Sequence, residues 1–121
     1  MTMSAIRKAA AAGMAVALTV GSTTAFAQEI RVLNAGSTHT WRAQVYAGVP
    51  VGILVNGDGD TDLDLYVRTP SGRLIAVDDD YTDTCIVQFV PSFTGTVTIE
   101  IVNRGSVWNR YSIGMEGGFL R

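Results

Sequence analysis

One histidine, one cysteine and one lysine occur in 121 residues, and each scarcity removes a class of chemistry. His39 has no second histidine and no cysteine pair to join it, so zinc coordination and nucleophile–histidine triads lack their parts. Cys85 has no partner within the chain, which excludes an intramolecular disulfide. Two readings of it stay open: a buried thiol acting as a small hydrophobe, or pairing between chains. The three prolines, Pro50, Pro70 and Pro91, all fall between apolar runs, where they mark turns. No apolar run reaches the roughly 20 residues a membrane-spanning helix needs, and no segment after residue 27 shows a helical period.

The first residues read as an address. Arg7 and Lys8 precede an alanine-rich apolar stretch from Ala9 to Val20, and Ala25-Phe26-Ala27 ends a small-residue segment. That order is the pattern of a secretory signal peptide, so we expect export to the periplasm or the medium with cleavage after Ala27. No cysteine stands at the cleavage point to carry a lipid, and the twin-arginine pattern is missing. Residues 28–121 are then long enough for a single small domain. They hold seven arginines, no lysine and eleven carboxylates, a net charge of −4. Nucleic acid and anionic membranes require clustered positive charge, so neither is an expected partner.

Period-two alternation runs through the whole of this domain. Strands are expected at Glu29 to Leu33, His39 to Tyr46, Val51 to Val55, Asp62 to Thr69, Arg73 to Val77, Thr84 to Val90, Thr96 to Val102 and Trp108 to Glu116. Pro70-Ser71-Gly72 joins the fourth to the fifth as a tight turn, and Gly117 onward reads as a frayed tail. About eight short strands without a helix imply an all-β antiparallel sandwich, jelly-roll or immunoglobulin-like in plan.

The block Asp60-Thr61-Asp62-Leu63-Asp64-Leu65-Tyr66-Val67, followed by Pro70-Ser71-Gly72, resembles the bacterial pre-peptidase C-terminal domain family. Val87 and Phe89 before Pro91, then Thr94-Gly95-Thr96-Val97-Thr98-Ile99 and Tyr111-Ser112-Ile113, resemble that family's closing strands, with Val97 in place of the usual aromatic. The resemblance spans most of Thr38 to Glu116. It implies a small, typically non-catalytic β-sandwich of the kind appended to secreted proteases and other exported enzymes. An accessory or binding role follows, without its usual host enzyme in these residues.

Carboxylates supply the one conspicuous chemical constellation. If each strand crosses the sandwich and reverses, alternate loops share an end, bringing Asp58, Asp60 and Asp62 toward Asp78, Asp79, Asp80 and Asp83. Hard oxygen ligands on glycine-rich loops suit calcium, which takes roughly 6 to 8 of them. The spacing is not that of an EF-hand, since a loop counted from Asp58 has Leu63 where glycine belongs and Thr69 where glutamate belongs. Arg104 is expected at the same end as a neutralising cation. The competing reading makes these aspartates solvated turn residues bonding their own backbone, with Asp64 on a solvated strand face.

Crowded exposed carboxylates do not make a glycosidase, which holds one acid at raised pKa, and no enzymatic activity is expected. Tyr66 and Arg68, on the face opposite Leu65, are candidate ligand-binding residues. Trp41 and Tyr111 are expected in the core. The partner is then an exported protein or a polysaccharide. An exposed row of aromatics would favour sugar, and a polar surface with one acidic end would favour a calcium-stabilised scaffold.

Overall fold

The computed structural model describes residues 28–121, and the expected leader with its cleavage point after Ala27 lies outside the described residues. Nine strands follow one another: β1 (Gln28–Leu33), β2 (Thr38–Val45), β3 (Val51–Asn56), β4 (Leu63–Arg68), β5 (Leu74–Asp78), β6 (Thr84–Phe89), β7 (Gly95–Asn103), β8 (Asn109–Glu116) and β9 (Gly118–Leu120). The first eight coincide with the expected strands to within one or two residues at each end. No helix among the described residues is long and apolar enough to cross a membrane.

Two antiparallel sheets form, ordered β1-β8-β3-β6 and β5-β4-β7-β2-β9. The ladders nest: β1 pairs β8, β2 pairs β7, β3 pairs β6 and β4 pairs β5, as though a long hairpin with its tip at β4–β5 had been wound around a core. Such nesting is the jelly-roll plan, and it decides between the two sandwich types the alternation allowed. The tip is the Pro70-Ser71-Gly72 turn, closed by Gly72 N–H to the Thr69 carbonyl (2.9 Å) and Thr69 N–H to the Arg73 carbonyl (2.8 Å). A register shift between Val67 and Arg68 gives this hairpin a bulge.

Alternate side chains meet between the sheets. Leu63, Leu65 and Val67 on β4, Val97, Ile99 and Ile101 on β7, Ile53 and Val55 on β3, and Ile113 on β8 are all fully buried. Each such aliphatic side chain contributes about 1.5–3 kcal/mol through removal from water. Cys85 belongs to this core with Val87 and Phe89, and its thiol donates to the Leu63 carbonyl at 3.1 Å. Burial, with the surrounding carboxylates second, pushes that thiol well up, so little reactive thiolate is present.

The expected frayed tail is instead strand β9, which pairs with β2 through Ala43↔Leu120, Gln44↔Phe119 and Val45↔Gly118. Gly117 makes the return possible. Its φ is +84°, and a Cβ there would overlap the Pro50 carbonyl. Alternation statistics over a three-residue strand carry too little signal to reveal this pairing.

Gly117→Ala is expected to destabilise the protein by about 1–3 kcal/mol from left-handed backbone strain alone, with the Pro50 overlap added. Gly36→Ala, at φ +70° with nothing within 4 Å of the new methyl group, carries only the backbone cost. Urea midpoints should rank wild type, Gly36→Ala, then Gly117→Ala; equal losses in the two variants would discount the Pro50 contact.

Candidate functional site

The nested topology puts the loops at residues 34–37, 57–62, 79–83 and 104–108 at one end of the sandwich. Backbone bonds join them: Gly57 N–H to the Asp83 carbonyl (2.9 Å), Leu63 N–H to the Thr82 carbonyl (3.2 Å), Arg104 N–H to the Asp62 carbonyl (2.8 Å) and Gly36 N–H to the Asn103 carbonyl (2.9 Å). Beneath them the inward-facing rows change character. The row Val97, Ile99, Ile101 ends in Asn103, the row Tyr111, Ile113, Met115 begins at Asn109, Ala76 is followed by Asp78, and Asp83 precedes Cys85, Val87 and Phe89. These four polar residues are buried, Asn103 and Asn109 completely. They form a polar layer that closes the apolar core.

Burying such groups costs free energy unless their donors and acceptors are matched. Asn109 donates through Nδ2 to Thr61 Oγ1 (2.9 Å) and Asp83 Oδ2 (3.0 Å), and its Oδ1 accepts from Asp58 N–H at 3.3 Å. Asp83 Oδ2 also accepts from Gly59 N–H at 2.6 Å. Asn103 donates to the Leu33 and Val107 carbonyls (3.1 and 2.9 Å) and accepts from Gly105 N–H (2.9 Å). Asp78 Oδ2 takes the Ile86 N–H at 2.9 Å, stitching the edge of one sheet to the edge of the other. Residue 57 must be glycine here, because a Cβ would overlap the Asp83 carboxylate.

Of the six aspartates expected as calcium ligands, Asp58, Asp60, Asp62, Asp78, Asp79 and Asp80, three serve the fold itself. Asp58 accepts from Asp60 N–H (3.2 Å) in an Asx turn and from Arg110 N–H (3.0 Å), anchoring its loop to β8. Asp80 Oδ1 accepts from the N–H and hydroxyl of Thr82 at 3.0 and 2.9 Å, a second turn of that kind. Asp78 points into the polar layer. Among the described residues no three His, Cys, Asp or Glu side chains gather closely enough to hold a metal ion. The loops share an end as strand parity requires, but their carboxylates do not converge on one point.

A smaller cluster lies around Asp62 and Asp64. Asp64 is only 6% exposed, not solvated as the alternation suggested, and Arg104 is the reason. The Arg104 guanidinium donates through Nε to Asp64 Oδ2 (2.9 Å) and through Nη2 to the Tyr66 hydroxyl (3.1 Å). The bond to Asp64, then the one to Tyr66, raises the arginine's proton affinity further. Asp62 and Asp64 each keep one buried oxygen, Oδ1, with no hydrogen-bond donor. Burial, then repulsion from Asp64, raises the Asp62 pKa; Arg104 opposes the shift and Asp79 adds to it.

Tyr66 and Arg68 are occupied by the protein itself. The Tyr66 hydroxyl donates toward Asp64 Oδ2 (3.3 Å), and Arg68 lies over its ring at 5.8 Å. Arg68 Nε is paired with Glu100 at 3.1 Å. The most exposed aromatics, Tyr81, Trp108, Phe119 and Tyr46, fall on four separate segments. A second polar cluster joins the sheets near β1: Trp41 Nε1–H donates to the Tyr111 hydroxyl (2.9 Å), which lies 2.8 Å from His39 Nδ1. Burial, with Arg31 second, lowers the His39 pKa.

No family model matches the chain, and no curated protein matches it. Solved structures do. The pre-peptidase C-terminal domain of a collagenase from Bacillus anthracis superposes with a TM-score of 0.65 at 12% identity, over 75% of this chain and 89% of that one. A periplasmic inhibitor of g-type lysozyme from Aeromonas hydrophila gives 0.58 at 17% identity, over 79% and 86%. The mitogen from Yersinia pseudotuberculosis gives 0.57 at 14%, over 75% and 84%. At these identities the likeness is one of fold, and the fold is the β-sandwich that the aspartate-leucine block implied.

Arg104→Ala strands the Asp64 carboxylate and should cost about 1.5–3 kcal/mol, the range for hydrogen bonds to charged groups. Arg104→Lys keeps the charge but loses the fork that reaches both Asp64 and Tyr66, and should lose less. Denaturant unfolding of the two variants checks the order. Equal stability of Arg104→Ala and wild type would show that Asp64 needs no cation.

Proposed function

We propose that this chain is an exported, non-catalytic module that binds a protein partner outside the cytoplasm. The observation that carries the reading is the employment of its reactive side chains in holding the fold: Asp83, Asn109 and Asp58 tie loops, His39 is hydrogen-bonded to Tyr111, and Cys85 is buried. What remains outward includes large apolar side chains on β1 and just before β8. Ile30, Val32 and Trp108 are each more than half exposed, and Val107 nearly so. Trp is enriched at protein interfaces, and their fully buried core is more apolar than the rest of the surface. The solved structure of a periplasmic lysozyme inhibitor shares this fold and supports a protein partner by analogy. A polysaccharide partner is the lesser reading, because Tyr66 is covered by Arg68 and engaged through its hydroxyl.

A calcium-stabilised version of the same module is favoured by one observation, the donorless buried oxygens of Asp62 and Asp64. The ion would sit against these two residues and supply a fixed positive charge to their carboxylates. Of the other proposed ligands, Asp58 and Asp80 already serve turns.

Partner binding is tested by chemical crosslinking in the exported fraction of the producing cell, beside sedimentation with insoluble polysaccharides. A crosslinked protein species lost in Val32→Glu and Trp108→Ala is the expected result. Retention on a polysaccharide that disappears in Tyr66→Ala would move the assignment to sugar.

Asp62→Asn separates the metal-free and metal-bound versions by the sign of its effect. The raised Asp62 pKa means that its charged form is disfavoured in the folded state, so its penalty is present above that pKa and disappears as pH falls through it. Without metal, Asp62→Asn should therefore raise the melting temperature near neutral pH, and the gain should vanish below the ordinary aspartate range. Thermal melts in calcium and in chelator complete the test. A wild-type melting point raised by calcium, with the rise abolished in Asp62→Asn, would establish the metal-bound version.

A further inference from the structure

Sheet edges offer unpaired backbone groups to other strands, and three of the four edges in this sandwich are guarded. On β6 the Ile86 N–H is taken by the Asp78 carboxylate, β5 carries a bulge, and β9 is three residues long. The fourth edge, β1, is six residues long, has β8 on one side and, among the described residues, no strand on the other. It contains no proline and no register shift against β8. The Arg31 side chain folds back onto the Ile30 carbonyl at 2.8 Å.

The order of residues on β1 is self-complementary. Glu29 and Arg31 are two apart and therefore project on the same side, where they pair at 3.3 Å with about half of each side chain exposed. Set two copies of β1 antiparallel about a twofold axis through Ile30, and Glu29 of each faces Arg31 of the other, Gln28 faces Val32, and Ile30 faces Ile30. Centring on Glu29 or on Arg31 would oppose like charges, and a half-residue shift leaves both charges without an opposite. Only the Ile30 register answers each charge with its complement. Opposite charges across a strand pair stabilise it, and like charges oppose it.

We infer that β1 is a homodimerisation edge, joining two copies of this chain antiparallel about Ile30 so that the sheet β1-β8-β3-β6 continues across the twofold axis into its partner. The pairing replaces the Arg31 cap on the Ile30 carbonyl with a backbone N–H. It also brings the exposed Ile30 side chains together on the outer face of the joined sheet. This rests on the protein-binding reading by naming one partner, a second copy; the loss of self-association would leave binding of another protein intact.

The test is the molar mass of the full chain, in the form the expressing cell produces, measured by sedimentation across a concentration series under reducing conditions. A six-residue edge is at the small end of interfaces, so a concentration-dependent rise toward twice the chain mass is expected. Glu29→Arg and Arg31→Glu should each weaken association about tenfold or more, by opposing like charges. The double variant Glu29→Arg/Arg31→Glu should restore it, which a folding defect would not do. Under oxidising conditions Ile30→Cys should crosslink, since residues opposed across an antiparallel pair have Cα atoms about 4.5–5.5 Å apart, within disulfide range. Val32→Cys, which faces Gln28, should not. A monomer at every concentration, a dimer indifferent to both charge reversals, or a double variant that fails to recover overturns the inference. So does a β1 edge that takes up only a different protein.

Discussion

The Asp83 carboxylate and the Asn109 carboxamide meet at 3.0 Å beneath the acidic loops, and the closed end of the sandwich is organised around that contact. Through it the loop at residues 79–83, the start of β8 and the loop at residues 57–62 share one set of hydrogen bonds. Apolar rows cannot simply stop at the surface of a sandwich. Each must end either in solvent or in groups that bond both the core's backbone and the loops. Here the rows on β5, β6, β7 and β8 end in Asp78, Asp83, Asn103 and Asn109, and the layer excludes water from the aliphatic side chains beneath it. Because a buried donor or acceptor left unmatched costs about 1–3 kcal/mol, these residues restrict the loops to conformations that match them.

From that layer follows the fate of the outer carboxylates. Asp58 and Asp80 act as turn residues, Asp58 also holding the Arg110 N–H on β8, while Asp62 and Asp64 lie where β4 enters the sheet and crowd one another. Arg104 answers the crowding from the next loop, held in place by its own N–H on the Asp62 carbonyl. The guanidinium continues to Tyr66, and Arg68 with Glu100 extends the polar network along the same face. This face is self-satisfied. The opposite sheet is different, with Ile30 and Val32 outward on an unguarded edge, so the two sides of the sandwich are suited to different work.

Much of this could be read before any coordinates. The alternation in Leu63, Leu65 and Val67 placed a strand, Pro70-Ser71-Gly72 placed a hairpin, and the aspartate-leucine block pointed to the β-sandwich that the structure contains. Strand parity also carried the acidic loops to one end. The polar layer left a trace as well: Asn103 and Asn109 fall in step with inward-facing apolar residues, where an asparagine is out of place unless it is bonded. Other features left none. A strand as short as β9 has too few residues for a period, and its existence depends on a glycine turn that fits against Pro50. Asp64 alternates as an exposed residue should, yet it is buried because an arginine 40 positions away covers it. Tyr66 and Arg68 looked free for a ligand for the same reason, since Arg104 and Glu100, which engage them, lie in another loop and on another strand.

By itself, then, the order of residues determined the strands, the turns and the inward-facing rows, because these depend on φ preferences and on a side-chain period that local sequence expresses directly. The sheet order β1-β8-β3-β6, the division of the aspartates among turns, polar layer and ion pair, and the β1 edge were decided only by the tertiary structure. Each depends on which groups distant in the chain come within 3 Å of one another, and hydrogen bonding and charge neutralisation act at that distance whatever the separation in sequence.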